Sequence, residues 1–161
     1  MKIAIKLIKL TGLLSIVVLM IAVSCKKADN PISASMSAKI NGALWNTSVR
    51  VTVLQGGFFS ITGTSLAGEI MNITIYGQTE GTYLLQAIPP AFQFTALYKE
   101  SASILDENGF AATSGQVVIT HIDNTAKKIS GTFNFDAMRA SDFSTISVTE
   151  GKFNNLLYTG K

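Results

Sequence analysis

Cysteine occurs once in the 161 residues, at position 25, so no intrachain disulfide exists and the fold rests on its apolar core. Histidine also occurs once, at position 121, where a structural zinc site wants about four Cys or His ligands. Charged side chains make up 14% against 47% hydrophobic, which excludes intrinsic disorder for most of the chain. With three prolines, the chain is neither proline-rich nor collagen-like, despite its 13 glycines. Phosphate loops, dinucleotide fingerprints and a Gly-x-Ser-x-Gly elbow are all missing. No cofactor and no metal site is expected.

Net charge of +3 invites a nucleic-acid partner, but the positions of the charges argue against one. Lys2, Lys6 and Lys9 fall in the first ten positions, and without them ten basic residues face ten acidic ones. No basic footprint remains on the rest of the chain.

Those three lysines open a secretory leader. A charge-free run from Leu10 to Ser24 follows, shorter than the roughly 20 residues of a spanning helix and suited to a cleavable signal. Ala22 and Ser24 are small residues just before Cys25. Ala22-Val23-Ser24-Cys25 resembles a bacterial lipobox, with Ala22 where leucine is usual, a departure common in Bacteroidota. The resemblance implies that the Cys25 sulfur carries diacylglycerol. Each buried acyl CH₂ contributes about 0.8 kcal/mol, so two or three chains anchor a protein stably. Lys26 is not the aspartate of an inner-membrane retention signal, and the resemblance therefore implies an outer-membrane address, facing either the periplasm or the medium.

The organisation read from this is a signal peptide over 1–24, a lipidated cysteine and polar tether over 25–35, and one domain over 36–161. In that domain period two dominates. Val49, Val51 and Val53 alternate with polar residues, as do Met71, Ile73 and Ile75, and again Ile129, Gly131, Phe133, Phe135 and Ala137. Such alternation places one face on a core and the other in water. Turn signals at Asn41-Gly42, Gly56-Gly57, Ala67-Gly68, Gly77, Gly81, Asn108-Gly109 and Asp123-Asn124 separate the runs, and Pro89-Pro90 divides two more. The expectation is an all-β domain of about ten short strands. It is either an antiparallel sandwich or a small up-and-down, lipocalin-like barrel.

Local details follow from the same pattern. Ile40, Trp45, Val51, Ile73, Ile75, Ile119, Phe133, Phe135 and Phe153 are the expected core. Ile146 and Val148 share a face that Phe153 rejoins only if one extra residue is inserted at Glu150-Gly151, as a bulge or a hairpin turn. Asp136 to Asp142 has the composition for one helical turn. His121 shares parity with Val117 and Ile119, which makes it a partly buried or rim residue at a strand end.

The carboxylates (Glu69, Glu80, Glu100, Asp106, Glu107, Asp123, Asp136, Asp142 and Glu150) sit mostly beside turn residues, where acids bond the local backbone. No catalytic residue is assigned. The aromatics Phe58-Phe59, Phe92, Phe94 and Phe110 place some rings on a second face, either the other side of a closed core or an exposed patch.

Three motifs together resemble a group of small Bacteroidota lipoproteins built on a domain of unknown function. They are Ala38-Lys39-Ile40-Asn41-Gly42-Ala43-Leu44-Trp45, Ile129-Ser130-Gly131-Thr132-Phe133-Asn134-Phe135 and Val148-Thr149-Glu150-Gly151-Lys152-Phe153, with Gly81-Thr82-Tyr83 between them. The resemblance implies an all-β lipoprotein domain and brings no catalytic residues. The expected function is a membrane-anchored binding or accessory module, its partners being the membrane at Cys25 and a glycan, peptide or protein. The alternatives are a lipocalin-like carrier of a small apolar ligand, and a hydrolase.

Overall fold

Turn chemistry and period-two alternation resolve into nine strands among the residues described by the computed structural model, 33–86, 94–101 and 109–160. They are β1 (Ser35–Ile40), β2 (Ala43–Gln55), β3 (Phe58–Ser65), β4 (Ile70–Tyr76), β5 (Gly81–Gln86), β6 (Phe94–Lys99), β7 (Phe110–Asp123), β8 (Lys128–Arg139) and β9 (Thr145–Gly160). Asn41 and Gly42, both at positive φ (49° and 83°), make the two-residue turn from β1 to β2. Gly56 and Gly57 do the same from β2 to β3. Pro89-Pro90 and Asn108 lie outside the described residues.

The architecture is a closed barrel rather than a sandwich. Antiparallel pairing runs β1–β2–β3–β4–β6–β7–β8–β9, and β9 returns to β1, which closes eight strands with up-and-down connectivity. The ninth, β5, lies outside that ring. It pairs with β7 at Ser114–Ile119, while β6 takes the same edge of β7 at Phe110 and Ala111. Below the start of β1, β2 and β9 meet directly in a short parallel ladder, Thr52 opposite Tyr158 to Leu54 opposite Gly160.

Chain direction fixes two ends. The β1–β2, β3–β4 and β8–β9 turns share one, and the β2–β3 and β7–β8 turns, the start of β1 and the finish of β9 share the other. Every strand sends apolar side chains into one continuous interior cluster, from Met36 and Trp45 through Ile61, Ile73, Leu85, Tyr98, Ile119 and Phe133 to Phe153 and Tyr158. An eight-stranded barrel is just wide enough for side chains to fill it. Gly63 faces inward beside Trp45 and Met36, where a Cβ would collide with both and with Thr47.

Bulges decide which residues face inward. In β9, Thr149 and Glu150 oppose the single Asn134, Glu150 adopts φ 51°, and Ile146, Val148, Gly151 and Phe153 all point to the core. The expected extra residue at Glu150-Gly151 is therefore a bulge within a continuous strand. Asn155 (φ 48°) makes a second one opposite Ser130, whose hydroxyl accepts from the Asn155 N–H at 2.9 Å, and this brings Leu156 and Tyr158 inward.

Three expectations are corrected by the same physics. An extra residue at Ser48 shifts the register of β2, so Thr52 and Leu54 point inward and Val51, expected in the core, is exposed. Ile40 is half-buried against the core rather than within it. Of Asp136 to Asp142, Met138 and Arg139 finish β8, and the expected helical turn is reduced to a single α-turn beyond them, in which the Phe143 N–H donates to Arg139 O at 2.9 Å.

Thr52 carries a cost that can be measured. Only 3% exposed, its hydroxyl Oγ1 has no hydrogen-bond partner among the described residues. A buried unsatisfied polar group costs about 1–3 kcal/mol, so Thr52→Val is expected to raise stability within that range. A lower urea midpoint for Thr52→Val would refute the assignment.

Candidate functional site

On the outer wall the strands β7, β8 and β9 present their polar alternate residues side by side. Gln116 pairs with Asn134, Val118 with Thr132, and Thr132 with Lys152. The β9 bulge interrupts this array. Glu150 is the unpaired residue and Gly151 lies against the Phe133 ring, where any Cβ would clash. Around the interruption is a groove of about 290 Å³ lined by Gln116, Val118, Thr132, Phe133, Asn134, Glu150, Gly151 and Lys152. Its chemistry is two amides that both donate and accept, one hydroxyl, one carboxylate, one ammonium and the apolar Val118. Glu150 also receives Lys39 Nζ at 2.7 Å, an exposed pair worth about 0–1 kcal/mol. Such a surface offers hydrogen bonds to a polar ligand without a strong field of one sign.

Of the carboxylates singled out from sequence, Glu150 lines this groove, and His121 and the remaining described acids lie elsewhere. Cys25, Asp106, Glu107 and Phe92 are outside the described residues. His121 was expected to share the inward parity of Ile119, but an extra residue at Thr120 shifts the register and turns the ring outward. Its side chain is 63% exposed, with Nδ1 3.3 Å from Glu80 Oε1. Of the aromatic rings, Phe59 and Phe110 are core residues, whereas Phe58 is half-buried against Tyr76 on the outer wall, their centroids 5.2 Å apart.

Most of the described carboxylates are engaged in holding turns and barrel ends. Glu69 accepts from Ser65 Oγ and from Tyr98 Oη, both at 2.8 Å. Burial, and then the bond to Glu69, push the Tyr98 phenol well above its ordinary pKa. Glu80 accepts from the Ile122 N–H at 3.1 Å. Arg139 bridges Glu100 at 2.6 Å and Asp142 at 3.3 Å while its guanidinium lies 4.1 Å from the centre of the Phe110 ring. That stacking joins the β8–β9 turn to the start of β7. Among the described residues, no group of three His, Cys, Asp or Glu is arranged to hold a metal ion.

Two aspartates make a pH prediction. Asp123 accepts from the Ala126 and Thr125 N–H groups at 2.7 and 2.9 Å, and these bonds hold its carboxyl below its ordinary pKa, the Ala126 bond most strongly. Asp142 is depressed in the same direction, first by the Ser144 hydroxyl and then by the Ser144 N–H. A carboxyl whose folded pKa is lowered adds stability that is present above its unfolded value and lost as pH falls through the folded one. NMR titration of Asp123 is expected to give a midpoint below the ordinary aspartate value. The Thr125 and Ala126 amides should lose exchange protection through that midpoint. A midpoint at or above the ordinary value would overturn this account of the turn.

No groove residue was assigned from sequence. Thr132 and Asn134 are readable as outward positions of β8, but their partners on β7 and β9 depend on pairing that sequence alone leaves open. A family model described as Domain of unknown function (DUF6252) matches residues 32–157. No curated protein and no solved structure matches the chain.

Proposed function

We propose that this chain, which belongs to the DUF6252 family of domains of unknown function, is a lipid-anchored envelope protein that binds a glycan or peptide on its barrel wall. The observation that carries the reading is the contrast between inside and outside. Apolar side chains from all nine strands occupy the interior, while the outer wall has a groove with amide, hydroxyl and charged groups around Asn134. Hydrogen-bonding groups of that kind fix the orientation of a polar ligand, whereas a carrier of an apolar ligand needs interior space. The reading includes the absence of catalysis, because most of the described acids serve turns and ion pairs and the exposed His121 stands beside Glu80 at the barrel end. Anchoring is proposed through diacylglycerol on Cys25, in the outer membrane, on the strength of the leader and the small residues before the cysteine.

Two measurements test it. The intact mass of membrane-extracted protein is expected to show a chain beginning at Cys25 with the lipid attached, and an uncleaved chain with an unmodified cysteine overturns the anchor. On arrays of envelope glycans and peptides, binding is expected, weakened at least tenfold by Gln116→Ala or Asn134→Ala with the circular dichroism unchanged. Binding indifferent to both substitutions rejects the groove. Turnover of ester, peptide or glycoside substrates that vanishes on changing His121 or a single acid rejects the non-enzymatic reading.

A further inference from the structure

Among the described residues, an apolar stripe on the barrel wall lies beside the start of β1. Val49 and Val51 on β2 and Leu157 on β9 are 57%, 55% and 65% exposed. Thr52 and Tyr158, partners in the parallel ladder, both point inward. One residue earlier on each strand, Val51 and Leu157 stand together on the outer face. β1 occupies the space between β2 and β9 only as far as Ser35, which pairs with Asn154. Ser33 and Ala34 therefore enter the wall in the notch just above that ladder, and Ser33 is exposed. The interior beneath is occupied by Leu54, Phe59, Leu156 and Tyr158, so Ser33 stands at the outer surface beside the stripe.

Charge reinforces the position. Lys128 is the cross-strand partner of Leu157, and Lys127 lies next to it with Nζ 5.4 Å from the centre of the Tyr158 ring. Asp123, the β7 partner of Lys128, offsets part of this charge while accepting from the Thr125 and Ala126 amides, which leaves Lys127 as the exposed cation beside the stripe. Only eight residue steps separate Cys25 from Ser33, a reach of at most about 29 Å when fully extended.

We infer that this wall, formed by Val49, Val51 and Leu157 with Lys127 and Lys128, rests on the phospholipid surface that holds the anchor. The inference rests on the lipid-anchor reading above and adds which face of the barrel meets the membrane. Short apolar side chains next to lysines suit the boundary between acyl chains and anionic headgroups, and the covalent lipid supplies the affinity that so small a patch lacks. The β3–β4 turn, with Leu66 at 94% exposure, lies at the opposite end and points away from the bilayer.

The lipidated protein offers a direct test, because its only native cysteine is consumed by the anchor. Leu157→Cys, Val51→Cys and Leu66→Cys each then carry a single thiol for a fluorescent label. The proteins are reconstituted in phosphatidylethanolamine–phosphatidylglycerol vesicles containing a headgroup quencher. Quenching is expected to be at least threefold stronger at 157 and 51 than at 66, and Lys127→Glu with Lys128→Glu is expected to reduce it at 157. Equal quenching at all three positions, or more at 66, overturns the inference. Labels at 157 and 51 that report an apolar environment yet stay unquenched overturn it in favour of residues 26–32 covering the stripe. Energy transfer between labelled copies overturns it in favour of a second copy. Intact mass separates the two levels: a chain without lipid fails the anchor itself, whereas a lipidated chain quenched equally at every position fails only this inference.

Discussion

Phe133→Ala is expected to cost about 3–5 kcal/mol of stability. The ring is 3% exposed, its centroid 6.3 Å from that of Phe135 and 6.4 Å from that of Phe153, with near-parallel planes in both pairs. It also covers Gly151, where no side chain is available to move into the space it leaves. The neighbouring rings sit on β8 and β9, which are hydrogen-bonded on both sides, so the walls of the cavity have little freedom to collapse. Domains of this size have total stabilities of about 5–15 kcal/mol, so the loss is a large part of the whole. Phe143→Ala is the matched control: that ring is 73% exposed in the β8–β9 turn, and its loss is expected to stay within about 0.5 kcal/mol. Urea denaturation of both variants reads the difference. A Phe133→Ala cost below about 1 kcal/mol would mean that the ring does not fill the barrel.

Phe133 was visible in the sequence because β8 keeps strict alternation, and so do Met71, Ile73 and Ile75 of β4. In such strands a two-residue periodicity suffices to place a side chain. Elsewhere the pattern fails wherever an extra residue is inserted without a glycine to mark it. Ser48 shifts β2 and moves Val51 to the outside, and Thr120 does the same to His121 on β7. Asn155 shifts β9 again beyond Phe153, in the left-handed conformation that asparagine tolerates. A bulge is a property of a pair of strands, and the partner strand is distant in sequence.

Barrel closure was hidden for the same reason. β5 and β6 run the same way along one edge of β7, and only the pairing distinguishes that arrangement from a plain sandwich edge. The groove depends on both effects, since it needs β7, β8 and β9 side by side and an unpaired residue in the last. The N-terminal notch depends on a third: β1 is too short to keep β2 and β9 apart along their whole length.

The Glu150 bulge was the exception, legible because Phe153 breaks parity with Val148 next to a glycine, and it supports the second large prediction. Deleting Glu150 is expected to keep the folded barrel and remove the groove. With the extra residue gone, Thr149 alone opposes Asn134, while Gly151 still pairs with Phe133, Lys152 with Thr132 and Phe153 with Gly131. Strict alternation from Val148 through Gly151 to Phe153 then holds without a bulge, so Phe153, Leu156 and Tyr158, all at most 3% exposed, stay in the core. What disappears is the interruption of the outer wall at Glu150, and the groove with it. Glu150→Gly isolates the backbone from the side chain. It keeps the residue count and relieves a left-handed conformation that costs a non-glycine residue about 1–2 kcal/mol. In exchange it gives up an exposed pair with Lys39 worth about 0–1 kcal/mol. Glu150→Gly is therefore expected to keep or slightly raise the melting temperature and to keep the bulge, whereas the deletion still melts cooperatively but loses binding in the groove at least tenfold. A deletion variant with no cooperative transition would show that β9 needs the bulge itself to hold its place beside β8.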